Sequence, residues 1–68
     1  MTTYTLTAIL GKSAKAVSFE QDNDKYAMLE SVGKILRLAS EDPTGPWAKG
    51  EIILRDEDGN TVAGMDAK

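Results

Sequence analysis

Tyr4-Thr5-Leu6-Thr7-Ala8-Ile9-Leu10-Gly11-Lys12-Ser13-Ala14-Lys15-Ala16-Val17-Ser18-Phe19-Glu20 holds two alternating runs on either side of a glycine turn. In the first run, Thr2 to Leu10, residues Tyr4, Leu6, Ala8 and Leu10 fall on one face and Thr3, Thr5 and Thr7 on the other. A period of two with β-branched residues is the pattern of a half-buried strand. Gly11-Lys12-Ser13 is a turn signal. Lys15 to Glu20 then alternates again, with Val17 and Phe19 inward and Ser18 and Glu20 outward. The pattern predicts an antiparallel hairpin closed by a short glycine-containing loop.

Downstream, Gln21-Asp22-Asn23-Asp24 is rich in residues that cap helix N-termini. The following segment, Lys25 to Ser40, has no proline and reads as a helix. Met28, Leu29, Val32, Ile35, Leu36 and Ala39 form its apolar face, expected to lie on the core, with Glu30, Lys34 and Arg37 opposite. Glu30 and Lys34 are correctly ordered for an i,i+4 ion pair. Gly33 costs about 1 kcal/mol relative to alanine inside a helix, so either simple tolerance or close approach of another backbone accounts for it.

Glu41-Asp42-Pro43-Thr44-Gly45-Pro46-Trp47 cannot continue that helix and reads as a stiff, shaped loop. Glu51 to Arg55 is a strand centred on Ile52, Ile53 and Leu54. The turn Asp56 to Asn60 follows, with Asp58-Gly59 expected to supply positive-φ positions, and Thr61 to Met65 is a last strand. The tail Asp66-Ala67-Lys68 is expected to fray. The reading is one α+β domain over residues 1–68, a two-layer β-β-α-β-β fold with a four-stranded sheet and one helix across one face. Strand order stays open between two solutions. In one, the first and last strands are parallel neighbours; in the other, the sheet is fully antiparallel with the first strand beside the third.

The 68-residue chain has no cysteine and no histidine. Disulfides and thiolate metal sites are excluded, and a structural zinc site is not expected. Imidazole bases, thiolate nucleophiles and Ser-His-Asp arrangements are absent too. The carboxylates, lysines and tyrosines that remain need a partly dry pocket to shift their pKa values, which a domain this small rarely encloses. An enzyme is therefore not expected, nor any cofactor. The net charge of −3 and the single spacing of eight basic residues disfavour direct binding to nucleic acid. No run is long and apolar enough for a membrane span, and Met1-Thr2-Thr3-Tyr4 lacks the features of a signal peptide, so a cytoplasmic protein is expected. Small cores commonly gain support from oligomerisation, which makes a homodimer a reasonable expectation.

The candidate partner-binding residues are Pro43, Pro46 and Trp47 in the loop, with Tyr26 and Leu38 on the helix. Trp47 on a proline-stiffened loop loses little entropy on binding, and tryptophan is enriched at interface hot spots. The preferred alternative is that Trp47 folds back to seal the core beneath the C-terminal end of the helix. Tyr26 and Leu38 either extend an exposed apolar strip or belong to a wide core stripe. Asp56, Asp58 and Asn60 alternate like the start of a calcium loop. Ala67 stands where its bidentate glutamate is required, so a polar hairpin turn is preferred and no metal is expected. Glu20, Asp22 and Asp24 together with Asp56, Glu57 and Asp58 would form a negative surface if they converge; ordinary solvated turns are the preferred alternative.

The stretch Asp42 to Asn60 resembles small uncharacterised proteins encoded by phages of actinobacteria. The resemblance rests on Gly45-Pro46-Trp47-Ala48-Lys49-Gly50 and the hairpin after it, about a third of the chain. It implies a phage accessory protein that acts by binding a host protein, and it carries no functional residues. The function expected is therefore a non-enzymatic protein–protein interaction module. The alternatives are a small homo-oligomeric assembly protein and an acidic inhibitor of a nucleic-acid-binding protein.

Overall fold

The computed structural model describes residues 1–66. Strand β1 (Thr2–Leu10) and strand β2 (Ser13–Gln21) pair antiparallel along their full lengths, from Thr2 opposite Gln21 to Leu10 opposite Ser13. The turn between them has only two residues. Gly11 takes φ +59° at its first position and Lys12 does not follow it into positive φ, the geometry of a type II′ turn. Helix α1 (Asp24–Glu41) follows, then a single helical turn, α2 (Pro46–Lys49). Strand β3 (Glu51–Arg55) and strand β4 (Thr61–Asp66) close the chain. The order in the sheet is β2-β1-β3-β4 and every pairing is antiparallel, so the second of the two strand orders is the one adopted. Ala67 and Lys68, where the tail was expected to fray, lie outside the described residues.

Of the positive-φ pair expected in the second hairpin, only Gly59 adopts such a conformation, at +85°. Asp58 is spared because the turn is held differently. The Asp56 carboxylate accepts from the backbone N–H groups of Asp58 at 3.0 Å and Asn60 at 2.9 Å. A side chain that bonds its own following backbone replaces the second left-handed residue.

The sheet presents Tyr4, Leu6, Ala8, Ile52 and Leu54 to the core, with Val17 and Phe19 packed at its β2 side. Each of the larger buried side chains contributes roughly 1.5–3 kcal/mol. Leu10, at the end of the same alternation, is exposed instead, because the strand runs past the layer above it. The Tyr4 and Phe19 rings stack across the hairpin, with centroids 5.9 Å apart.

Helix α1 begins where the capping residues place it: the Asn23 side chain accepts from the Tyr26 N–H at 3.1 Å. Its rotation differs from expectation. Ala27 and Ser31 are the residues buried against the sheet, with Ile35, Leu38 and Ala39 partly buried beside them. Small residues let the helix sit close above rings that already fill the layer, and the Ser31 hydroxyl is satisfied by the Ala27 carbonyl at 2.7 Å. Glu30 and Lys34, expected on the solvent side, turn instead towards β2. Glu30 accepts from Gln21 Nε2 at 2.6 Å and pairs with Lys34 at 3.4 Å, and the Lys34 ammonium lies 5.4 Å from the Phe19 ring centroid.

The connection after α1 is more compact than a loop. Pro46 at the first helical position starts α2, and Gly50 ends it with its N–H donating to the Pro46 carbonyl at 2.9 Å. Gly50 is required there. A Cβ at that position would meet the Ile9 carbonyl oxygen and, at 2.8 Å, the Pro46 carbonyl oxygen.

The start of the helix is tied to β1 by one further bond. The Tyr4 hydroxyl donates to Asp24 Oδ1 at 2.7 Å. That bond, burial and the negative charges of Asp24 and Asp56 push the phenol up to about 12. The folded chain thus holds the Tyr4 proton more tightly than the unfolded chain, whose phenol titrates at 10.0. The contribution is complete below the unfolded value and is lost as pH rises through the folded one. Denaturant titrations should therefore show stability falling over this alkaline interval. Tyr4→Phe should flatten that limb while leaving the neutral-pH fold intact.

Candidate functional site

The loop that proposed itself from the sequence is turned inward. Trp47 is 3% exposed and belongs to the core cluster with Tyr4, Leu6, Ala8, Ala27, Ile52 and Leu54. Pro46 is buried with it, and only Pro43 and Thr44 face outward. The inward turn follows from local geometry. Asp42 caps α1 through its N–H to the Leu38 carbonyl at 3.1 Å, and the Gly45 N–H then returns to the Asp42 carbonyl at 3.1 Å. The chain is folded back at once, and α2 delivers the indole beneath the end of α1. Trp47 and Pro46 are therefore corrected as docking residues: they lie in the core, as the alternative reading of Trp47 had it. Leu38 is corrected in the same way, since it is partly buried against that cluster.

Beside the indole lies an open depression of about 510 Å³, lined by Lys15, Val17, Leu38, Glu41, Asp42 and Trp47, among others. The Lys15 ammonium and the Asp42 carboxylate stand 3.7 Å apart there, both well solvated. A surface pair of this kind contributes little to stability.

Tyr26 is exposed, as one of its two readings required. It borders a wide groove at the start of α1 together with Thr2, Tyr4, Asp22, Asn23, Asp24 and Lys25. The carboxylates considered as a negative surface, with solvated turns preferred, lie around this end of the sheet. Glu20 pairs opposite Thr3, and the Thr3 N–H donates to Glu57 Oε1 at 3.3 Å. Asp24 and Asp56 both act on Tyr4. Asp56 is engaged by its own turn, and among the described residues no group of three acidic side chains is placed to hold a metal ion. No helix among the described residues is long and apolar enough to cross a membrane.

A run of exposed apolar side chains lies elsewhere, on α1. Met28 is 43% exposed, Leu29 62%, Val32 50% and Leu36 68%. These four were assigned to the core, and the assignment is corrected. The apolar residues of α1 span about half its circumference at 3.6 residues per turn. The sheet and Trp47 cover only the half that carries Ala27, Ser31, Ile35 and Leu38. The signal was present in the sequence as excess: a helix lying on one sheet buries a stripe a little over 100° wide, and this one carries more.

Comparison with known proteins finds no matching family model, no similar curated protein and no similar solved structure.

Trp47→Ala should remove about 3–5 kcal/mol, comparable to the whole net stability of about 3–5 kcal/mol for a domain of this size. Thermal melts should show a largely unfolded chain at room temperature. By contrast, Leu36→Ser, at a surface position, should melt close to the wild type.

Proposed function

We propose that this chain is a non-enzymatic protein-interaction module and that it docks through the solvent-facing side of α1. The observation that carries the proposal is the uncovered apolar strip of Met28, Leu29, Val32 and Leu36 along one side of α1. Scattered apolar residues at a surface need no explanation, but four contiguous ones on a rigid helix are the form of a docking surface. Exposed Tyr26 lies on the same helix and Pro43 beyond its C-terminal end, so two of the residues first singled out remain available at the periphery. The resemblance of Asp42 to Asn60 to small phage proteins supports a host protein as partner, and on that view the chain is a phage accessory protein.

A second reading draws on the convergence of Glu20, Asp22, Asp24, Glu57 and Asp58 at one end of the sheet. An acidic end of this kind suits an inhibitor that occupies the basic groove of a nucleic-acid-binding protein. The two readings use different surfaces and are separable. In a pull-down from bacterial lysate, the helix reading expects a partner that is lost with Leu29→Glu/Leu36→Glu in a variant whose circular dichroism matches the wild type. Retention of that partner by the helix variant, with loss or strong salt sensitivity in Glu57→Lys/Asp58→Lys, transfers the function to the acidic end. Absence of any captured protein, together with a strictly monomeric mass, overturns the interaction reading itself.

A further inference from the structure

We infer that the free edge of β2 pairs with the same edge of a second copy of this chain, antiparallel and about a two-fold axis at Val17, so that two four-stranded sheets become one. The surface is separate from the α1 face, and the inference stands independently of the docking role proposed there. Its first ground is the backbone. In the sheet order β2-β1-β3-β4, β2 is bonded on one side only. The two-residue turn makes Leu10 and Ser13 a hydrogen-bonded pair. From there the alternation turns the backbone groups of Ser13, Lys15, Val17, Phe19 and Gln21 towards β1, and those of Ala14, Ala16, Ser18 and Glu20 outward. The Thr3 N–H fits the same phase: opposite Glu20, it points away from β2 and donates to Glu57. A row of outward N–H and C=O groups is a template for another strand.

The two edges of the sheet are built differently. β4 has six residues, contains Gly64 and carries a register shift beside Leu54 and Arg55, the short, bulged form that resists edge pairing. β2 has nine residues in unbroken register with β1 and contains no proline. Of its outward residues only Glu20 is charged. The inward-facing charge at this edge, Lys15, lies 3.7 Å from Asp42. The open depression lined by Lys15, Ala16 and Val17 leaves the middle of the edge clear of α1.

Register and charge name the occupant. An axis at Val17, the midpoint of β2, overlaps all nine residues of the two strands. It sets Ala14 opposite the other copy's Glu20 and Ala16 opposite its Ser18, so every outward backbone group meets an outward group. The pairing forms about eight backbone hydrogen bonds, close to the roughly ten direct bonds of a specific interface. On the helix side, Val17 meets its own counterpart, and Lys15 meets the other copy's Phe19 beside the neutral pair of Glu30 and Lys34. No like charges stand opposite one another. The turn end of β2 carries Lys12 and Lys15, and the far end carries Glu20 and Asp22. Antiparallel pairing lays each basic end against an acidic one and brings Lys12 into a diagonal position beside the other copy's Glu20. Parallel pairing would set like on like.

Sedimentation equilibrium from low micromolar to several hundred micromolar protein tests this. The expected result is a mass rising from one chain to two and stopping there. Ala16→Pro removes an outward N–H without touching the ladder to β1. It should raise the dissociation constant by about tenfold or more while its circular dichroism is unchanged. Leu36→Glu, on the α1 face, should leave the pairing as it is. Because the chain has no cysteine, disulfide trapping reads the register directly, and it serves equally if Ala16→Pro fails to fold. Val17→Cys, on the axis, should cross-link under mild oxidation, and Ser13→Cys, roughly 27 Å from its counterpart, should not. A single-chain mass at every concentration overturns the inference, as does growth beyond two chains, a dimer indifferent to folded Ala16→Pro, a dimer lost with Leu36→Glu, or equal cross-linking by both cysteine variants. A single-chain mass combined with a lysate partner lost on Leu29→Glu/Leu36→Glu overturns only this pairing and leaves the docking reading standing.

Discussion

The Trp47 indole fills the space between the C-terminal half of α1 and the middle of the sheet, and the helix side of the molecule is arranged around it. Its place depends on a chain reversal only a few residues long. Asp42 ends α1, Gly45 folds the chain back, Pro46 starts one helical turn, and Gly50 passes hard against the Ile9 carbonyl. With the indole, Tyr4 and Phe19 supplying bulk, α1 can contribute small residues and approach closely. Ala27 and Ser31 face the sheet for that reason. The larger leucines of the helix are left outside because the room they would fill is already taken.

That substitution of one large side chain for several links the core to the surface. A four-stranded sheet crossed by a single helix has more apolar helix to dispose of than layer to bury it in. The β2 side of α1 is finished with polar contacts, where Glu30 bridges Gln21 and Lys34 and the Lys34 ammonium lies near the Phe19 ring. The other side has no such finish and carries Met28, Leu29, Val32 and Leu36. The acidic end and the apolar strip are thus separate surfaces, one built by turns and the other by the rotation of a helix.

Much of the architecture was legible along the chain. Alternation through Tyr4, Leu6 and Ala8, the glycine turn at Gly11, the Asn23 cap and the polar turn at Asp56 are local signals, each carried by residues within a few positions of one another. They determined a four-strand, one-helix domain without reference to anything distant. The preferred placement of Trp47 was legible as well, because a small core needs its one tryptophan.

Three matters were decided only in three dimensions. Strand order was one: both candidate sheets satisfy the same alternation, and the choice rests on which edges the crossover through α1 and α2 can reach. The placement of the two acidic groups was another, since Glu20 and Glu57 come to flank the start of β1 only because β1 lies between β2 and β3. The rotation of α1 was the third and bears most on function. Periodicity locates the apolar arc of a helix but not which part of a wide arc a sheet will cover. That is set by the volumes of Tyr4, Phe19 and Trp47 beneath it, residues that are neighbours in space and lie far apart along the chain.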